Sequence, residues 1–127
     1  MARVLIVGEG SSASALAGAL VEEGHVVGAT PKPDRGALEH VAIVCWLLSS
    51  SPERFLLGAV DSSMRGFVHQ AGGWGEAVSR AASRNAIPVA CVRADPADGE
   101  AWLSQARGAI ARLLDPGSHA GVRYPEA

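Results

Sequence analysis

The sequence has little lysine, tyrosine or cysteine, and each scarcity narrows the chemistry that the protein can perform. Lys32 is the only lysine among 11 basic residues, so no mechanism that needs a second lysine is open to the chain. The two cysteines, Cys45 and Cys91, lie inside apolar runs, where a free thiol behaves as a small hydrophobic side chain. We therefore expect no disulfide framework.

Strong charge and long apolar runs are also missing. The formal net charge is −2, which provides no positive field to attract a polyphosphate backbone, so we expect no nucleic-acid partner. The longest apolar run, residues 41–48, has eight residues, whereas a membrane-spanning helix needs about 20. Gly8 and Glu9 interrupt the first apolar stretch, so we expect no signal-peptide core. We expect a cytoplasmic protein without a membrane partner.

The pattern of apolar segments predicts an α/β fold. Apolar runs without alternation are typical of strands covered on both faces, and they occur at residues 3–7, 25–29, 41–48, 66–69 and 87–92. Segments with helical spacing separate them, at residues 12–23, 52–60, 76–84 and 95–114. Such alternation predicts one doubly wound five-stranded parallel sheet in a single domain, residues 1–115, followed by a loose tail over residues 116–127.

A glycine loop follows the first predicted strand. Gly8 permits a tight turn, Gly10 lets the backbone approach a phosphate, and Ala13 is small enough for close helix packing. The amides of Ser11 and Ser12 open the following helix, whose N-terminus favours anions. The alternative is that the two glycines only form a tight turn.

The chain here resembles a family. Residues 4–29 are similar to the opening of the NAD(P)-binding Rossmann domain of the short-chain dehydrogenase and NAD-dependent epimerase superfamily, most like its extended and atypical members. Residues 66–69 and 87–93 are similar to two later strands of that domain, and the similarity covers most of residues 3–95. The resemblance implies NADP or NAD as cofactor. The candidate cofactor-binding residues are Gly8, Glu9, Gly10, Ser11, Ser12, Ala13, Thr30, Lys32, Arg35, Leu48, Ser49 and Gln70.

Coenzyme preference and sheet order follow from the segment after the second strand. The acidic residue that holds the ribose of NAD in this family is replaced by Thr30-Pro31-Lys32, and Lys32 with Arg35 can contact a 2′-phosphate, which favours NADP. Ordinary solvated charges are the alternative. Only residues 31–40 precede the next strand, so the family's additional strand is missing and the predicted order is 2-1-3-4-5. Glu9 adds a negative charge beside the expected phosphates, which weakens binding.

The family's catalytic residues are absent. Its serine falls at Ala71 or Gly72, and the helix at residues 76–84 contains neither tyrosine nor lysine. Tyr124 is the only tyrosine and no lysine follows it. The sequence offers no strong catalytic candidate. His69, near the carboxyl end of a strand, is a weak one, and the favoured interpretation is that it is a core histidine. No residue spacing matches a metal site.

Three hypotheses follow for the function. The favoured one is a minimal, non-catalytic Rossmann-fold protein that binds a nucleotide weakly through its glycine loop. The second is an NADP-dependent reductase or epimerase-like enzyme with a non-standard active site that uses His69. The third is an interaction module in which the loop is a relic. A sheet this small leaves an edge strand exposed, so we expect a homodimer formed through that edge or through the last helix.

Overall fold

A computed structural model describes residues 2–31, 40–48, 64–70, 78, 80, 83 and 87–114. Within this part of the chain lie five strands and two helices. In chain order they are β1 (Arg3–Val7), α1 (Ser11–Glu22), β2 (Val26–Thr30), β3 (Ile43–Trp46), β4 (Gly66–Gln70), β5 (Val89–Val92) and α2 (Gly99–Leu114). Val78, Arg80 and Ser83, in the segment predicted to be helical, are helical as well.

The five strands form one parallel sheet in the order β2-β1-β3-β4-β5. This confirms the predicted fold class and the predicted strand order. Because the strands are all parallel, their carboxyl ends meet at one edge of the sheet, and the order reverses between β1 and β3. Ligands of such sheets bind outside the carboxyl ends at this reversal point.

Both faces of the sheet bury apolar side chains, as parallel strands require. The helix-side cluster packs against α1 and α2 and includes Val4, Ile6, Leu16, Leu20, Ile43, Cys45, Val68, Trp102 and Ile110. The opposite-face cluster includes Leu5, Val7, Val44, Trp46, Phe67, Val78 and Val89. Trp46 and Trp102 are both core residues.

Two strands are shorter than predicted. The third covers Ile43–Trp46 rather than residues 41–48, because β1 and β4 each pair with it over only four residues. The fifth begins at Val89 rather than at residue 87, since Pro88 has no amide hydrogen and contributes only its carbonyl, which accepts from the Phe67 amide at 3.0 Å.

The last helix begins later than predicted. Asp95 makes a turn before it, with its Oδ1 accepting from the Ala97 amide at 2.9 Å, and the Asp98 carbonyl accepts the first helical bond, from the Trp102 amide. The predicted helix at residues 52–60 and the predicted tail at residues 116–127 lie outside the described residues.

Candidate functional site

The loops after the first three strands converge at the carboxyl edge of the sheet. The Gly8 amide donates to the Thr30 carbonyl at 2.8 Å, which joins the end of β1 to the end of β2. The Leu47 amide donates to the Val7 carbonyl at 2.8 Å, which joins β3 to β1. The predicted candidates Gly8 and Thr30 are therefore brought together, at the point where the strand order reverses.

Gly8 is fixed by close packing. Its φ of +147° lies in the range that side chains rarely adopt, and a Cβ at this position would lie 2.9 Å from the Leu47 Cβ. Neither atom could rotate away, because a Cβ is held by its own backbone. The turn that follows β1 therefore requires glycine at position 8, and Leu47 is the residue that leaves no room for a side chain there. Leu47 was not among the predicted site residues.

Gly10 faces open space. Its φ of 109° and ψ of −174° lie in a region that is occupied almost only by glycine, yet a Cβ built on it would meet nothing within 4 Å. The backbone at Gly10 is thus open to the approach of a ligand. This is the geometry that the glycine motif predicts for contact with a phosphate.

The first turn of α1 presents donors to the same opening. The Gly10 carbonyl accepts from the Ser14 amide at 3.1 Å, which makes Ser14 the first residue bonded within the helix. No side chain caps this end of the helix, and its first turn holds no acidic residue. Among the described residues nothing pairs with the amides of Ser11, Ser12 and Ala13. Ala13 is buried, as the predicted helix packing requires.

The remaining candidates around this loop differ in position. Glu9 is exposed beside Gly10, and Leu48 is half-buried against the opposite-face cluster. Lys32, Arg35 and Ser49 lie outside the described residues.

Gln70 lies in a polar network that joins β4, β5 and α2. Its Oε1 accepts from the Trp102 indole Nε1 at 2.5 Å, and its Nε2 donates to the Ala94 carbonyl at 3.0 Å. Gln105 Oε1 in turn accepts from the amides of Arg93 and Ala94, the latter at 2.9 Å. Both polar atoms of the Gln70 amide are therefore engaged within the protein. Gln105 was missed by the sequence analysis because nothing local marks its partners, which are 11 and 12 residues away.

His69 lies in the core. It is 3% exposed, it stacks on Phe67 with ring centroids 6.3 Å apart, and its Nδ1 is 3.1 Å from the Gln70 carbonyl oxygen. Burial lowers its pKa from the ordinary value of 6.5, and the hydrogen bond to the Gln70 carbonyl opposes this only in part. The imidazole is therefore neutral near pH 7, with Nδ1 as the donor. These contacts match the core interpretation of this residue.

The two cysteines are free thiols in different surroundings. Cys45 is fully buried, and burial raises its pKa to about 12. Cys91 is partly exposed beside His69 in the sheet, and burial raises its pKa while the charge of Arg93 opposes the shift. Neither is activated as a thiolate nucleophile. Among the described residues, no group of three or more His, Cys, Asp or Glu side chains could hold a metal ion.

An open groove of about 660 Å³ runs along β1 and β2, and its lining residues include Arg3, Leu5, Gly28, Thr30 and His40. Leu5 belongs to the opposite-face cluster, so the groove lies on the sheet face away from α1. It reaches Thr30, which bonds Gly8.

The fold and the loop define a class of protein: an α/β protein with a five-stranded parallel sheet in a Rossmann-like arrangement. No protein-family model, curated protein or solved structure matches the chain. No helix in the described part of the chain is long and apolar enough to cross a membrane.

Proposed function

We propose that the chain is a minimal Rossmann-fold protein that binds the phosphate groups of a nucleotide on residues 8–13, with NADP or NAD as the candidate cofactor, and that it catalyses no reaction. The observation that carries the proposal is Gly10, whose glycine-only conformation opens onto free space directly before three amides without a described partner. Backbone amides at a helix N-terminus bind phosphate through hydrogen bonds and the helix dipole.

The groove along β1 and β2 offers space for the nucleoside part of the nucleotide. It reaches Thr30, whose carbonyl is bonded to the Gly8 amide, so the phosphate loop and the groove are contiguous. A nucleotide whose phosphates lie on Ser11 and Ser12 can therefore extend its nucleoside toward Thr30. The preference for NADP rests on Lys32 and Arg35, which follow β2 in the sequence.

The test is a calorimetric titration of the purified chain with NADPH, NADH and ADP. We expect saturable binding, with NADPH tightest. The variant Gly10→Asp should lose binding, because a carboxylate would occupy the phosphate position and the backbone would be strained. The matched control is Gly18→Ala, a glycine replacement in an open position of α1, which should bind like the wild type. No binding at millimolar nucleotide would overturn the proposal.

Absence of catalysis is tested separately. The enzyme hypothesis assigns proton transfer to His69, which is buried and bonded to the Gln70 carbonyl. Turnover of NADPH with aldehyde or ketone substrates that disappears in His69→Ala, while NADPH binding persists, would overturn the non-catalytic part of the proposal and leave the binding part intact.

A further inference from the structure

Among the described residues, none covers the outer edge of the sheet at β2. Parallel strands are normally buried on both faces, yet no residue of β2 is buried and three of its five residues are exposed. The two large hydrophobic side chains that stand exposed in the described part of the chain are Val21 and Val26, at 57% and 42%. Both belong to this region, since Val26 begins β2 and Val21 lies in the last turn of α1.

Val21 faces the same edge as β2. Glu23 Oε1 accepts from Arg107 Nη2 at 2.7 Å, so that side of α1 is turned toward α2. Successive helix residues are about 100° apart, which places Val21 about 160° round the helix from Glu23. Val21 therefore lies on the side away from α2, above the uncovered edge.

The backbone of β2 fixes which groups point outward. The Val26 amide donates to the Ala2 carbonyl and the Thr30 carbonyl accepts from the Gly8 amide, so Val26, Gly28 and Thr30 direct their backbone groups toward β1. Val27 and Ala29 alternate with them and direct theirs away from the sheet. Among the described residues nothing pairs with those outward groups.

The opposite edge of the sheet is better protected. Three of the four residues of β5 are buried, and the Gln105 side chain accepts from the amides of Arg93 and Ala94 where that strand ends. Proteins protect edge strands in this way because an open edge is a template for pairing with another chain. Within the part of the chain that the structure describes, the less protected edge is thus β2.

We propose that β2 pairs antiparallel with β2 of a second copy of this chain, about a twofold axis through Gly28, which joins the two sheets into one. The outward residues Val27 and Ala29 are placed symmetrically about Gly28. The axis therefore places Val27 of each copy opposite Ala29 of the other. Each of these two residue pairs exchanges two backbone hydrogen bonds, which gives about four in the dimer.

The chemistry of the strand fits its own copy. Residues 26–30 contain no charged side chain, so self-pairing brings no like charges together. Small residues at Gly28 and Ala29 let the backbones approach. The axis is perpendicular to the sheet, so both α1 helices lie on one face and their Val21 side chains flank the junction. In this register Val26 lies opposite Thr30 of the second copy, which covers part of its exposed side chain.

Sedimentation equilibrium of the full chain tests this first. We expect a species of twice the 13.0 kDa chain mass. In the variant Ala29→Pro, the outward amide is lost while the bonds to β1 stay, because proline is tolerated on an edge strand where its nitrogen faces outward. Two hydrogen bonds disappear per dimer, so the dissociation constant should rise about 10- to 100-fold.

Val21→Lys should also weaken the dimer, because two ammonium groups would flank the axis. Its matched control is Ala111→Lys, which adds the same charge to the exposed face of α2 and should leave the mass unchanged.

A crosslink tests the register independently of stability. A Cβ at Gly28 would lie 3.6 Å from Leu5 Cδ1, an ordinary contact, so Gly28→Cys fits the folded chain. Across the axis the two Gly28 Cα atoms would be about 4.5 Å apart, within the range of about 4.4–6.8 Å that a disulfide spans. In a Cys91→Ala background, oxidation should give a covalent dimer from Gly28→Cys and none from Ala111→Cys.

A monomer at all concentrations up to about 0.1 mM, or a dimer that neither crosslinks at residue 28 nor weakens with Ala29→Pro, would overturn the proposal.

Discussion

Replacing Gly8 by alanine tests the loop geometry through stability. A non-glycine residue at φ +147° costs about 1–3 kcal/mol in backbone strain. The new Cβ would also lie 2.9 Å from the Leu47 Cβ, and overpacking of this kind costs about 1–3 kcal/mol. Together we expect a loss of about 2–6 kcal/mol, a large part of the stability of a small domain.

Two other glycines calibrate this value. Gly10→Ala carries the strain without the contact, because nothing lies within 4 Å, so it should cost about 1–3 kcal/mol. Gly18→Ala, in the middle of α1 with open space around it, should stabilise by about 0.5–1 kcal/mol. Urea unfolding followed by circular dichroism measures the free energy of unfolding of all three variants. An unchanged slope of that free energy against urea concentration shows that each variant exposes the same surface area on unfolding.

The order of the three variants is the critical result. If Gly8→Ala cost no more than Gly10→Ala, the close contact with Leu47 would be refuted, and if both matched Gly18→Ala, the left-handed loop would be refuted as well. A second substitution identifies the contacting atom. Leu47→Ala keeps the Cβ and should not rescue Gly8→Ala, whereas Leu47→Gly removes it and should relieve the contact.

The remaining predictions concern the core. In the folded chain the pKa of His69 is lowered from its ordinary 6.5, so as the pH falls the unfolded chain takes up this proton before the folded chain does. The contribution of His69 to stability is therefore complete above pH 6.5 and decreases as the pH drops below it. Unfolding curves of His69→Gln measured over this pH range should lose that part of the pH dependence. Gln70→Leu leaves the Trp102 indole N–H without its partner and should cost about 1–3 kcal/mol, much of which the added Trp102→Phe should recover in a double-mutant cycle. Thiol titration of the native chain at pH 8 should modify Cys91 and spare Cys45, which reacts only after unfolding; equal rates would contradict the burial of Cys45.

The sheet could be predicted because its causes are local. Unbroken apolar runs marked all five strands. The order 2-1-3-4-5 was predicted from the resemblance to the dehydrogenase and epimerase superfamily, because the ten residues between β2 and Val41 leave no room for that family's additional strand. The glycine loop was predictable for the same reason, since Gly8 and Gly10 act through their own backbone angles.

The rest depends on contacts between distant positions. Leu47 is 39 residues from Gly8, and Trp102 is 32 residues from Gln70. No periodicity marks either pair. The apolar residues of β2 also predict a covered strand, because a sequence pattern carries no information about which other elements are available to cover it. Packing of this kind becomes visible only in three dimensions.

The helix-side cluster unites the two ends of the folded sequence, since Val4 and Ile6 of the first strand share it with Trp102, Ile110 and Leu113 of the last helix. During synthesis the N-terminal strands emerge from the ribosome long before α2 does. The face of the sheet that α2 covers in the folded chain therefore stays exposed until residue 114 has been translated. The core is therefore complete only after α2 has been translated, and until then the nascent strands expose apolar segments to which chaperones can bind.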